Sequence, residues 1–369
     1  MAAGNSASKG DFMGEQVGKV VEGWTGPGRR DGVIDPLALK EDGLYSDFSK
    51  KGLYEWWYFD AHLDSGHTVV VFFHASNPNP GRTGKIGVEF ILISPEGHRK
   101  QDFFVYDRSK FKAAGDKPEV RIGNNSITVE QADGEPPVYR IFVDEGDLGC
   151  DLKYTPLVNG WKPGSGLSQF GDLGYMGWVV PFARADVEGT ITNGEQTILV
   201  KGTGYHDHNW LNFQFQRIIE YWMWGRVYSE NYTLAYAYIQ CTEAVDHHAV
   251  KVLMLAEGRE VTLSSGEFDF IQGELEYNPS AKHHFPKQIV IDAPGEVKAT
   301  LNVKQVLEAQ DMLDNFNPAL RFIAKNIMRI KPGYFRLVSD FELDILHGGN
   351  AIKEEGTTMH EIVIFKPLK

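Results

Sequence analysis

From His67 onward the chain is punctuated at short intervals. Runs of β-branched and aromatic residues, each bounded by Gly, Pro, Asn or Asp, follow one another with no helical spacing between them. His67 to His74 (HTVVVFFH), Ile86 to Ile93, Asp102 to Asp107, Ser126 to Glu130 and Val138 to Val143 form a first series. Thr197 to Lys201, Tyr221 to Tyr228, Tyr232 to Cys241, Ala249 to Ala256 and Phe268 to Glu276 open a second. Gln288 to Asp292, Val297 to Val306, Tyr334 to Leu346 and Met359 to Phe365 complete it. Strands this close together are joined by turns and pair antiparallel, so the pattern predicts an all-β sandwich or barrel and excludes an alternating βαβ fold.

At 369 residues the chain exceeds the size at which one core stops growing, so two domains are expected. Counting strands places residues 1–50 as a mobile start and wrapping segment, 51–215 as an N-terminal β domain and 216–369 as a C-terminal lipocalin-like barrel. One helix stands out, Pro318 to Ile330: Asn317 suits the N-cap, Pro318 the first helical position, and Leu320, Ile323, Ile327 and Ile330 recur at helical spacing. Between Gly146 and Ala183 glycines are frequent and strand signals few, which reads as a functional loop or a plain linker.

A net charge of -13 argues against nucleic acid and against an anionic membrane surface as partners, since both are held by basic residues. No run approaches the ~20 apolar residues of a membrane span, and the first residues do not resemble a signal peptide. Cys150 and Cys241 are the only cysteines, too few to staple such a chain. A cytoplasmic protein with two free thiols is therefore expected, its oligomeric state open.

Gly204-Tyr205-His206-Asp207-His208-Asn209-Trp210 concentrates proton-handling groups among aromatic rings, with Tyr221-Trp222-Met223-Trp224-Gly225-Arg226 and Glu55-Trp56-Trp57-Tyr58 as further aromatic segments. A water-poor pocket lined this way shifts carboxyl and imidazole pKa values toward catalytic use. His206 and His208, two apart, share a face if extended, as paired metal ligands do. A third ligand would have to come from Asp, Glu or His elsewhere, with His247, His248, His283 and His284 available, but adjacent His-His pairs in turn-like surroundings read as surface features and no metal is assigned. There is no Gly-x-Ser-x-Gly elbow, and Gly202-Thr203-Gly204 precedes a strand pattern where a nucleotide fingerprint needs a helix. What remains is acid–base chemistry without a cofactor on an apolar, unsaturated substrate. The plainer reading of the same residues is a buried hydrogen-bond network tying two domains together.

These motifs carry a resemblance. Glu55-Trp56-Trp57-Tyr58-Phe59, Val180-Pro181, Gly202 to Trp210 and Trp222-x-Trp224-Gly225-Arg226 resemble the lipocalin-like superfamily of carotenoid hydratases (hydroxyneurosporene synthases), kievitone hydratase and fungal decalin-forming Diels-Alderases. The resemblance covers residues 50 to 366 and implies two lipocalin-like β domains with a ligand pocket in or between them. It also implies cofactor-independent work on isoprenoid or polyketide natural products. In the carotenoid hydratases a Tyr-x-Asp is expected on the strand after Trp-Gly-Arg; here it reads Tyr236-Ala237-Tyr238, a phenol of ordinary pKa ~10 replacing a carboxyl of ~4.

The sequence therefore points to cyclisation of a terpenoid, meroterpenoid or polyketide intermediate, by a pericyclic route among others. Alkene hydration and non-catalytic carriage of apolar metabolites stand as alternatives. His206 and Asp207 are expected at the polar end, with Tyr236 and Tyr238 assisting. Glu55 is an alternative acid, or a strand-start residue paired with Arg226 or another base. Trp57, His208, Asn209, Trp210, Trp222 and Trp224 are expected to contact the substrate.

Overall fold

The computed structural model describes residues 19–48, 52–79, 81–313, 331–347 and 350–368. The helix expected over Pro318 to Ile330 lies outside them. Among the described residues the fold is all-β and lipocalin-like, built on two large antiparallel sheets.

The first sheet runs, edge to edge, Arg99–Tyr106, Ile86–Ile93, Thr68–Ser76, Tyr54–Leu63, Gln196–Leu211, Tyr175–Asn193, Leu148–Pro156, Val138–Glu145, Asn125–Glu130, Val120–Ile122 and Phe111–Ala113. It curls into a nearly closed barrel around Phe59, Phe73, Phe90, Ile141, Leu152 and Phe182, all buried. The second runs Glu260–Ser265, Ala249–Glu257, Tyr232–Cys241, Ile219–Tyr228, Asn350–Ile364, Gly333–His347, Val297–Asp311, Gln288–Ala293 and Asp269–Gln272. Its interior is filled by Met223, Leu234, Leu253, Phe335, Leu337 and Ile362. A third apolar cluster, with Tyr58, Val70, Tyr205, Ile218 and Val363, joins the outer face of the first sheet to the second.

Within Gly146 to Ala183, expected to be poor in strands, the structure places Leu148–Pro156, Leu167–Phe170 and the start of the long strand Tyr175–Asn193. Glycine there weakens strand propensity without preventing pairing. Gly177 faces Trp210, and an added Cβ would fall 1.9 Å from Trp210 Cε2, so the missing side chain makes room for the indole. The stretch is also stitched to the second sheet: Asn159 N–H donates to Arg259 O at 2.9 Å and Trp161 Nε1 to Ser264 Oγ at 2.9 Å.

Candidate functional site

The strand Gln196–Leu211 lies at the centre of the first sheet, paired with Tyr54–Leu63 on one side and Tyr175–Asn193 on the other. Successive side chains on a strand point to opposite faces. The heptad is divided accordingly: His206 and His208 turn inward, while Tyr205, Asp207 and Asn209 turn outward toward the second sheet.

On the inner face each histidine stacks on its cross-strand partner, His206 on Phe59 at 3.8 Å and His208 on Trp57 at 4.5 Å between ring centroids. His206 Nδ1 donates to Tyr58 O at 2.8 Å, and Nε2 lies 3.0 Å from Asp42 Oδ2, which also accepts from Tyr139 OH. His208 Nε2 meets Glu55 Oε1 at 2.9 Å; its Nδ1 approaches Asp42 Oδ1 at 3.3 Å, an ionic contact whose angle misses hydrogen-bond geometry. Glu55 accepts in addition from the amides of Tyr45 (2.8 Å) and Ser46 (2.7 Å), and Trp57 Nε1 donates to Asp42 O. Asp42, Glu55, His206 and His208 are all 0% exposed. Burial opposes charge on His208, but the close approach of its ring nitrogens to Asp42 and Glu55 and the charges of those carboxylates prevail and hold its pKa up at about 9. Burial likewise opposes ionisation of Asp42, and the charge and hydrogen bond of His206 prevail there, keeping that carboxyl below its usual range. This closed network fastens the Asp42 to Ser46 segment onto the barrel and offers no surface to a substrate. Among the described residues no group of three or more His, Cys, Asp or Glu is placed to hold a metal ion.

The outer face differs. Asp207 Oδ2 accepts from Trp178 Nε1 (3.0 Å) and Tyr205 OH (2.9 Å), and Oδ1 accepts from Asn209 Nδ2 (2.7 Å). Burial raises the Asp207 pKa to about 6, against the pull of those hydrogen bonds and of the His206 charge toward the anion. The carboxyl therefore holds a proton for part of the time near neutral pH. Tyr205 connects it to a second polar group: the Arg226 guanidinium lies 4.3 Å from the Tyr205 ring centroid and binds Asp60 through both terminal nitrogens, at 2.8 and 3.1 Å. Tyr58 OH donates to Asp60 as well. Across the gap Arg336 pairs with Glu361, which also accepts from Trp224 Nε1 at 3.0 Å. Tyr58, Asp60, Trp224, Arg226, Arg336 and Glu361 line an inter-sheet crevice of about 20 Å³. A larger groove of about 500 Å³ lies between Pro36 to Leu39 and Pro136 to Tyr139, lined also by Pro156, Asn159, Pro181 and Arg259, and Asp207 is not among its lining residues.

The expected pocket of tyrosines and tryptophans is not assembled. Trp222 and Trp224 pack with the inter-sheet cluster, whereas Tyr236 and Tyr238 pack on the other face, inside the second sheet. Strand alternation separates them: Trp224 pairs with Ala237, and Gly225 and Met223 pair with Tyr236 and Tyr238. Tyr236 OH is buried without a partner and its pKa is pushed far up by burial; Tyr238 donates to Gln240 at 3.0 Å and is pushed up to about 12, again by burial. Neither is an acid at neutral pH. Trp222 packs at a tilt against Phe215 and Phe365, and Trp210 stacks on Tyr45 at 4.4 Å. The base that Glu55 pairs with is His208, whereas Arg226 pairs with Asp60. Asp42, Asp60, Trp178, Arg336 and Glu361 were not legible as site residues. Tyr58, Tyr205 and Arg226 stood inside quoted motifs without being singled out, Tyr205 at the alternation step that shares a face with Asp207.

A sequence model of the family described as AttH-like matches residues 46–319. The chain belongs to the AttH-like family. A curated relative, the hydroxyneurosporene dehydrogenase of Chlorobaculum tepidum, is 25% identical over 251 residues, 58% of this chain; the match spans 64% of that relative's length. Among solved structures, a Nitrosomonas europaea protein described as an AttH superposes with a TM-score of 0.59 at 16% identity, covering 89% of this chain and 98% of that one. CghA with Sch210972 gives 0.61 at 14%, covering 91% and 95%. Kievitone hydratase from Nectria haematococca gives 0.55 at 16%, covering 95% and 99%. At these identities the structural likeness establishes the AttH-like fold alone. No helix among the described residues is long and apolar enough to cross a membrane.

Proposed function

We propose that this AttH-like protein is an enzyme that closes a ring in an unsaturated terpenoid, meroterpenoid or polyketide intermediate, working from the inter-sheet face with Asp207 as its acid. The observation that carries this reading is a carboxyl with a pKa near 6, buried on the face shared by both sheets and surrounded by Trp178, Tyr205 and Asn209. Relatives named as a hydratase and a dehydrogenase support an enzyme in preference to a carrier. Asp207 lends its proton to a carbonyl oxygen or alkene, an internal π-bond or hydroxyl closes the ring, and the carboxylate takes a proton back. The sum is an isomerisation that consumes nothing. A positioned acid contributes about 10²–10⁴ in rate, and aromatic walls add by holding the folded conformer.

The test is to supply the protein with the metabolite that accumulates when its gene is deleted. A product of unchanged mass, formed by the wild type and lost in Asp207→Asn, is the expected result. A product heavier by one water would replace cyclisation by hydration, and return of the metabolite unchanged would leave a carrier.

A further inference from the structure

One donor in the inter-sheet crevice is not used by the ion pairs. Arg336 is 5% exposed; its Nε and Nη2 both reach Glu361 Oε1, at 3.0 and 2.8 Å, while Nη1 is buried with no hydrogen-bond partner. Buried polar groups are nearly always paired, and a charged donor is the most demanding of them. The crevice that Arg336 lines holds about 20 Å³, room for one oxygen-sized group.

Charge decides what kind of group. Arg226 and Arg336 are matched by Asp60 and Glu361. The remaining titratable groups lining the crevice are Tyr58, which donates to Asp60, and His62 and His360, whose pKa values burial lowers to about 4 and which are therefore neutral. An added anion would stand uncompensated in a dry site, whereas a neutral acceptor would not.

We propose that Arg336 Nη1 anchors a neutral oxygen acceptor of the substrate, the carbonyl of a conjugated ketone, ester or amide, between the two sheets. The inference rests on the inter-sheet face being the substrate side, and it requires no particular reaction there. It also deepens the cyclase reading, because a guanidinium at a conjugated carbonyl draws electron density from the adjoining alkene and makes it easier to attack.

The test uses β-ionone, the hydrocarbon in which its carbonyl is replaced by CH₂, and β-ionylideneacetate, a carboxylate on the same ring. Dissociation constants are read from quenching of tryptophan fluorescence in the wild-type protein and in Arg336→Lys, which keeps a cation beside Glu361 but, lacking the guanidinium fork, places no donor at the Nη1 position. The wild type is expected to bind the ketone about tenfold or more tighter than the hydrocarbon, and tighter than the carboxylate. Arg336→Lys is expected to bring ketone and hydrocarbon together. Equal wild-type affinities, no saturable binding of the ketone, a preference for the carboxylate, or an undiminished gap in Arg336→Lys would each overturn the proposal. If Arg336→Lys does not fold, the wild-type ranking decides alone. Asp207→Asn is expected to keep the ketone preference while losing turnover, so the two readings fail separately.

Discussion

His206 and Asp207 are adjacent in the chain, yet their side chains end in different surroundings: His206 Nε2 lies 3.0 Å from Asp42 inside the first barrel, and Asp207 Oδ2 lies 3.0 Å from Trp178 on the face toward the second sheet. A single strand thus carries a structural network on one side and the candidate acid on the other.

If Asp207 works as an acid, its protonated form is the active one. With a pKa raised to about 6, kcat/KM should be level below that pH and fall about tenfold per unit above it. A pH–rate profile checks this, and a limb unchanged in Asp207→Asn would assign it to another group.

Trp178 modulates that acid without needing to touch the substrate. Its Nε1 hydrogen bond stabilises the carboxylate, so Trp178→Phe should raise the Asp207 pKa and move the falling limb to higher pH. A lower rate with the limb in place would reduce Trp178 to packing.

The inner network should govern stability. Asp42→Asn weakens the charge partnership of His206 and His208 at full burial and is expected to destabilise by about 3–5 kcal/mol. Asp207→Asn should cost far less, since its carboxyl is already poorly solvated. Urea unfolding of the two variants side by side makes the comparison.

The sign of the pH dependence follows from His208. Its folded pKa of about 9 lies above its ordinary 6.5, so its contribution is complete below pH 6.5 and is lost as pH rises through 9. Asp42, held below 3.8, contributes above that pH and loses the contribution in acid. Thermal melts should therefore show alkaline loss of stability that is flattened in His208→Gln.

Tyr236→Phe removes a buried hydroxyl that has no partner. Stability should be unchanged or higher by up to about 1 kcal/mol, and turnover should be unaffected. A large loss of activity would return Tyr236 to the site.

The alternating and β-branched runs made the strands legible, because their period is local. Ala249 to Ala256, for example, corresponds to the strand Ala249–Glu257. The common face of His206 and His208 followed from the same period. What they face did not: Asp42 sits in a segment with no periodic signal, and it meets His206 only because 164 residues of chain return to it. Asp60 and Arg226, 166 residues apart, are invisible as a pair for the same reason. Tyr236 and Tyr238 were misplaced because the sheet face of one strand relative to its neighbour depends on register, which Trp224 opposite Ala237 sets.

The two-sided strand Gln196–Leu211 has an evolutionary consequence. Substitutions that retune Tyr205, Asp207 and Asn209 leave the inner contacts of His206 and His208 in place, so a lineage can drift from one reaction to another without rebuilding its scaffold. The chemistry of this fold should accordingly be sought on the odd-numbered face of the segment, whose side chains take no part in the inner network.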